Sequence, residues 1–177
     1  MGLFTDRSAL LIADMIYDFV DPQGLLYVPG IEVILPRIAE LIDDAHGAGA
    51  PVIFVDDAHD PDDEEFKQWG PHAIAGTPGT VVVPELGPAE EDYVLDKPRY
   101  SAFYGTGLDD LLEKLGIEHL VITGTITNIC VMVSAIEALI RDYRVTIPAG
   151  AVHALNDADH NTALDQIERV FGGEVVR

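Results

Sequence analysis

His119-Leu-Val-Ile-Thr-Gly124 is a continuous apolar run of strand length, after which the chain turns through Thr125-Ile-Thr-Asn-Ile129 to Cys130 and a segment with apolar residues at 132, 135, 136, 139 and 140. A strand apolar on both faces, followed at once by a helix with one apolar face, is the unit from which buried parallel sheets are built. The same alternation continues outward. Downstream, Arg144-Val-Thr-Ile147 reads as a strand, Ala158 to Val170 as a helix and Glu174-Val-Val176 as a terminal strand. Upstream, Ser8-Ala-Leu-Leu-Ile-Ala-Asp14 is an apolar strand ending in a carboxylate. Apolar residues at 34, 35, 38, 41, 42 and 45 then mark a helix ended by Gly47 and Gly49, and Pro51-Val-Ile-Phe-Val55 is a second strand. Val94 to Lys97 makes a short strand, and Leu108 to Leu115 a helix stopped by Gly116. Over residues 1–177 this predicts one α/β domain, a three-layer α-β-α arrangement of Rossmann-like type with a central, mostly parallel sheet.

Composition narrows the function classes. Thirty-one acidic side chains against 10 basic give a formal charge of −21, and no Lys/Arg cluster reverses it locally, which disfavours nucleic acid and anionic membranes as partners. The single cysteine, Cys130, excludes an internal disulfide and a four-thiolate metal site. The apolar run near the N-terminus is flanked by Asp6 and Asp14 and is too short for a membrane span, so a cytoplasmic protein is expected. Acids spread along the whole chain, with only three lysines, also suit a salt-rich cytosol.

In a parallel sheet the chemistry gathers at the carboxyl ends of the strands. Asp14, Asp57 with His59, Lys97 and Cys130 all stand at such ends. A helix N-terminus and a nearby ammonium are expected to lower the thiol pKa, Lys97 can supply that ammonium, and Asp14 fits a proton acceptor. The turn from Gly124 to Cys130 can present backbone N–H groups as an oxyanion hole. Each residue alone also has a structural reading: a small buried cysteine, a capping aspartate and a solvated lysine. The segment from Asp56 to about Pro88 is expected to be irregular and, being longer than ordinary connections, functional. It carries Asp57-Ala-His59 and Trp69-Gly-Pro-His72, ligand types that suit a divalent metal, within a run where seven of the ten residues from Asp56 to Glu65 are acidic. Such a run also reads as a solvated acidic loop.

Three motifs decide between these readings. Ala13-Asp14-Met-Ile-Tyr-Asp-Phe19, Asp96-Lys97-Pro-Arg-Tyr100-Ser-Ala-Phe-Tyr-Gly-Thr106 and Thr123-Gly-Thr-Ile-Thr-Asn-Ile-Cys130-Val131 together resemble the isochorismatase-like cysteine hydrolases, in the right order and over nearly the whole chain. The resemblance implies a sheet of about five or six strands, a catalytic triad of Asp14, Lys97 and Cys130, and a cis peptide between Thr125 and Ile126. It also implies that the amides of Ile126 and Cys130 face the oxyanion. The nicotinamidase branch is similar to the segment Asp57-x-His59, an acid seven residues before His72, Trp69-Gly-Pro-His72 and Gly76-Thr-Pro-Gly79. By that likeness Asp57, His59, Glu65 and His72 hold a divalent metal, Zn²⁺ foremost with Mn²⁺ or Fe²⁺ as alternatives, and Glu64 is a near alternative to Glu65. Phe19, Trp69 and Tyr100 match the aromatic walls of the substrate pocket. Gly-Pro-His departs from the Pro-Pro-His of many relatives, and the segment from Pro29 to Ile34 is not diagnostic of substrate. The implied activity is cysteine-dependent hydrolysis of nicotinamide to nicotinate and ammonia through a thioester, by a homo-oligomer. Rival readings are hydrolysis of an N-carbamoyl amide, maleamate or isochorismate, or a non-catalytic binding or assembly member. A redox sensor is disfavoured because no second cysteine is present. His46, His119, His153 and His160 receive no role.

Overall fold

β1 (Ser8–Ala13), β2 (Val52–Asp57) and β4 (His119–Thr125) are buried at every residue, the pattern their unbroken apolar runs predict. The computed structural model describes residues 2–177. These strands join β3 (Tyr93–Lys97), β5 (Arg144–Pro148) and β7 (Glu174–Val176) in the order β3-β2-β1-β4-β5-β7, and every pairing is parallel. A two-residue strand, β6 (Val152–His153), pairs with β4 and makes the sheet seven-stranded, one more than the upper expectation. Two residues are too few to carry a periodic signal, which is why the sequence reading passes over β6.

Helices cover both faces. Leu10, Ile12, Val52 and Phe54 pack with Ile38, Leu41 and Ala45 of α2 (Leu35–Ala48). Their neighbours Ala9, Leu11, Ile53 and Val55 point the other way, toward α4 (Leu108–Leu115), α5 (Met132–Ile140) and α6 (Asp157–Arg169). This is the period-two alternation of a strand buried on both sides. α6 begins where the Asn156 side chain accepts the Asp159 N–H, a standard N-cap.

The chain lays β1, β2 and β3 outward in one direction, then crosses to place β4 on the other side of β1. The point where strand order reverses lies between β1 and β4, and a crevice opens there at the carboxyl ends. Gly124 keeps these two strands close: it has φ +106°, and a Cβ on it would lie 2.1 Å from the Ala13 carbonyl oxygen. Two expectations about local structure are corrected. The Asp56–Pro88 stretch is not wholly irregular but carries a four-residue helix, α3 (Phe66–Trp69), and 3-10 turns at Pro78–Thr80 and Pro84–Leu86. The turn expected through Thr125–Ile129 is there, but Thr127–Val131 winds as a π-helical turn, so Cys130, expected to open the helix, lies inside that turn and ahead of α5. Such turns are frequent at functional sites.

Candidate active site

Asp14 leaves the end of β1 with φ 58°, which turns its side chain across the strand ends, and it is 1 % exposed. Its Oδ1 accepts the Asp57 N–H at 2.8 Å, and its Oδ2 lies 3.0 Å from the Lys97 ammonium. Lys97 closes β3 directly opposite Asp57 in β2 and is completely buried. It ion-pairs with Asp57 Oδ1 and donates to Cys130 Sγ at 3.7 Å. Cys130 sits in the π-turn on the far side of the switch point, and its sulfur lies within 4.8 Å of carboxylate oxygens of both Asp14 and Asp57. Four strand ends, of β1, β2, β3 and β4, thus bring Asp14, Asp57, Lys97 and Cys130 together. The Thr125–Ile126 peptide is cis, and both residues line the same cleft.

The electrostatics differ from the expectation of a lowered thiol pKa. Burial, and then the Asp14 carboxylate, push the Cys130 thiol well above its ordinary value, and Lys97 offsets only part of this. Burial and then Asp57 raise the Asp14 carboxyl to about 6, against the lowering effect of Lys97. Lys97 itself is held firmly protonated by Asp14 and Asp57 despite its burial. The resting arrangement is a protonated thiol beside a carboxylate of elevated basicity, with one fixed cation between them.

Beside this cluster stand Asp57, His59 and His72, whose donor atoms lie within 4.8 Å of one another. His72 Nδ1 lies 2.8 Å from the Gly70 carbonyl, a contact that requires the proton on Nδ1 and frees Nε2 as an acceptor. His59 Nδ1 lies 3.4 Å from Asp63 Oδ2, which frees its Nε2 in the same way. That Nε2 is buried without a hydrogen-bond partner, and so is Glu65 Oε2. Glu65 stands outside the three-residue group but lines the cleft, whereas Glu64 lies at the surface paired with Lys67. Two imidazole nitrogens with their far N–H groups fixed, together with orphaned carboxylate oxygens, fit a divalent cation by donor chemistry.

Two residues that build this site, Asp63 and Phe66, carry no sequence signal of their own. Asp63 bonds His59, accepts the Glu65 N–H at 2.8 Å and is itself bound by Arg99 at 2.8 Å, so one carboxylate orders both His59 and Glu65. Phe66 lies 5.6 Å from the rings of both His59 and His72. Phe19 flanks His72 from another side, also at 5.6 Å, and Trp69 Nε1–H donates to the Tyr100 hydroxyl at 3.1 Å. Phe19, Trp69 and Tyr100, with Leu26, Tyr27, Val28, Ile126, Ile129 and Leu155, wall a cleft that is partly open to solvent. Of the remaining histidines, His46 bonds Asp92, His119 lies between Ser8 and Thr146, His153 bonds the Pro29 carbonyl, and His160 bonds Thr127 in the π-turn.

Residues 8–176 match the isochorismatase domain model. The chain belongs to the isochorismatase family. It is 34 % identical over 168 residues to the uncharacterized isochorismatase family protein YaaI of Bacillus subtilis, covering 95 % of this chain and 92 % of that one. The crystal structure of N-carbamoylsarcosine amidase from Thermoplasma acidophilum superposes with a TM-score of 0.89 at 37 % identity, covering 97 % of this chain and 96 % of the other. That of pyrazinamidase/nicotinamidase from Streptococcus mutans gives 0.91 at 32 % identity, covering 96 % and 99 %. The parallel sheet and the switch-point crevice are therefore those of an isochorismatase-family hydrolase. Among the described residues no helix is long and apolar enough to cross a membrane.

Proposed function

We propose that this chain is a cysteine amidohydrolase that converts nicotinamide to nicotinate and ammonia. The observation that carries the reading is the lining of the cleft: the rings of Phe19, Trp69 and Tyr100 share it with Cys130 and with Asp57, Glu65 and His72. Nicotinamide is a flat, neutral heteroaromatic carboxamide, the shape that such aromatic walls enclose, with a ring nitrogen for the carboxylate and imidazole group and a carboxamide for the thiol. The likeness to the Streptococcus mutans nicotinamidase supports the same assignment.

The chemistry follows from the buried triad. As Cys130 Sγ attacks the carboxamide carbon, its proton passes to Asp14, which a carboxyl pKa raised to about 6 suits for this exchange near neutral pH. Lys97 balances the negative charge that develops on sulfur. The backbone N–H groups of Ile126 and Cys130 receive the oxyanion. Asp14 then returns the proton to the departing nitrogen, which leaves as ammonia and yields a thioester on Cys130. Water attacks the thioester carbon, Asp14 takes the water proton and gives it to the leaving thiolate, and nicotinate is released. Asp57, His59, Glu65 and His72 would hold a divalent cation, Zn²⁺ foremost with Mn²⁺ or Fe²⁺ as alternatives, which when bound supplies a Lewis-acid anchor for the pyridine nitrogen. Phe19, Trp69 and Tyr100 enclose the ring.

Ammonia release from nicotinamide by the purified chain, with and without chelator, tests this. The expected result is chelator-sensitive turnover that Cys130→Ala abolishes while metal binding is kept. The 37 % identity to N-carbamoylsarcosine amidase favours a second reading, hydrolysis of an N-carbamoyl amide. Turnover of N-carbamoylsarcosine without turnover of nicotinamide would replace the first reading by the second.

A further inference from the structure

Asp18 belongs to the first motif of the sequence, yet the mechanism gives it no work. It lies in a four-residue helix, α1 (Tyr17–Val20), and is 3 % exposed. Its carboxylate has no ion pair among the described residues and is satisfied by backbone instead. Oδ2 accepts the Ala73 N–H at 2.7 Å, Oδ1 accepts the Leu25 N–H at 3.2 Å, and its own carbonyl accepts the Leu26 N–H at 3.0 Å. Hydrogen bonds to a charged acceptor are the strong kind, and a buried carboxylate held only by backbone amides fixes the segments that donate them.

Those two segments are far apart in the chain, and both line the cleft, through Leu26, Tyr27 and Val28 on one side and His72 on the other. Ala73 follows His72 and has φ 43°, a left-handed conformation that a non-glycine residue adopts only where its surroundings over-determine it. Leu25 leads into Leu26, Tyr27 and Val28, one wall of the cleft, and the Val28 N–H bonds the Phe19 carbonyl. The site is also shaped around Asp18. A Cβ on Gly79 would lie 2.3 Å from Asp18 Oδ2, and one on Gly24 would lie 2.5 Å from the Asp18 carbonyl oxygen. We infer that Asp18 is a positioning residue, whose carboxylate fixes the backbone at His72–Ala73 and the Leu25–Val28 wall relative to one another. With the Gly70 carbonyl holding Nδ1, His72 is then restrained both through its ring and through its backbone.

The part of this that concerns metal and substrate rests on the reading under Proposed function. Asp18→Asn keeps the side chain's size and one acceptor but turns an NH₂ group on one of the two amides. In the full-length protein, Co²⁺ titration followed by its visible absorption should show a loss of affinity of about tenfold or more, the usual range for a residue that orients a ligand. KM for nicotinamide should rise more than kcat falls, and the rate of Cys130 alkylation by iodoacetamide should stay at the wild-type value. A role in folding alone would lower the melting temperature and leave Co²⁺ affinity and KM of the folded fraction unchanged, and that result overturns the inference. If Asp18→Asn does not fold, Gly79→Ala presses on the same carboxylate and should give the same pattern. If the wild-type protein binds no Co²⁺, the metal reading fails separately, and amide hydrogen exchange decides the case for Asp18. Joint loss of protection at Leu25 and Ala73, with β1 unaffected, supports it; retained protection at both refutes it.

Discussion

Lys97 is the one cation on which Asp14, Asp57 and Cys130 converge, and it is buried more completely than any of them. Three anionic or potentially anionic groups share this buried space, and Lys97 is the side chain that balances them. One consequence concerns Asp14. A carboxyl raised to about 6 must be deprotonated to take the thiol proton, so activity is lost as pH falls through that value and is retained above it. The acid limb of kcat/KM for the free enzyme should therefore be half-maximal near pH 6, and Asp14→Asn should abolish turnover at every pH. An acid limb in the ordinary carboxylate range, about two units lower, would show that Asp14 is not the titrating base.

The elements that matter most are β1 and β4, because the residues meant to react are delivered from their ends. Ala13 pairs with Gly124, and the space between them admits no side chain. Gly124→Ala would force a methyl group onto the Ala13 carbonyl and hold alanine at φ +106°. The expected cost is about 3 kcal/mol or more, in the class of overpacked and strained positions. Urea unfolding should show a large drop in midpoint with an unchanged slope; a wild-type midpoint would mean that the two strands can separate and that their spacing does not define the crevice. The π-turn acts at the same scale: it sets Cys130 one irregular turn ahead of α5, where His160 bonds Thr127 from α6.

At the scale of the whole molecule the dominant quantity is the charge of −21. Ion pairs take up some surface acids, as at Arg7–Glu118, Arg37–Glu40 and Arg141–Asp109, but 10 basic residues cannot balance 31 acidic ones. Residual repulsion opposes compaction until salt screens it, and the screening length falls from about 10 Å at 0.1 M to about 3 Å at 1 M. The melting temperature should therefore climb as KCl is raised from low to molar concentration. An unchanged melting temperature would remove the case for adaptation to a salt-rich interior.

Much of this architecture was legible in local pattern. Apolar runs with strand length at 8–13, 52–55 and 119–124, helical faces between them, and Asp14, Lys97 and Cys130 at the ends of such runs follow from nearest-neighbour chemistry and need no knowledge of what packs on what. Strand β6 was not legible because two residues hold no period, and the π-helical form of the turn at 127–131 was not, because so short a turn leaves no apolar period to read. The site's electrical state was legible least of all. From position alone Cys130 should have a lowered pKa; in the fold, burial and the Asp14 carboxylate outweigh Lys97 and the proton stays on sulfur. Asp63 and Asp18 were invisible as functional residues for a related reason: each acts on backbone or rings supplied by distant segments, and an aspartate in an acidic loop or a motif looks the same until those segments meet it. Sequence by itself determined the strands, the helices and the residues available for chemistry, since these depend on short-range periodicity. Only the tertiary structure decided which carboxylate each cation and imidazole faces, because desolvation and charge pairing are properties of the space enclosed between elements far apart in the chain.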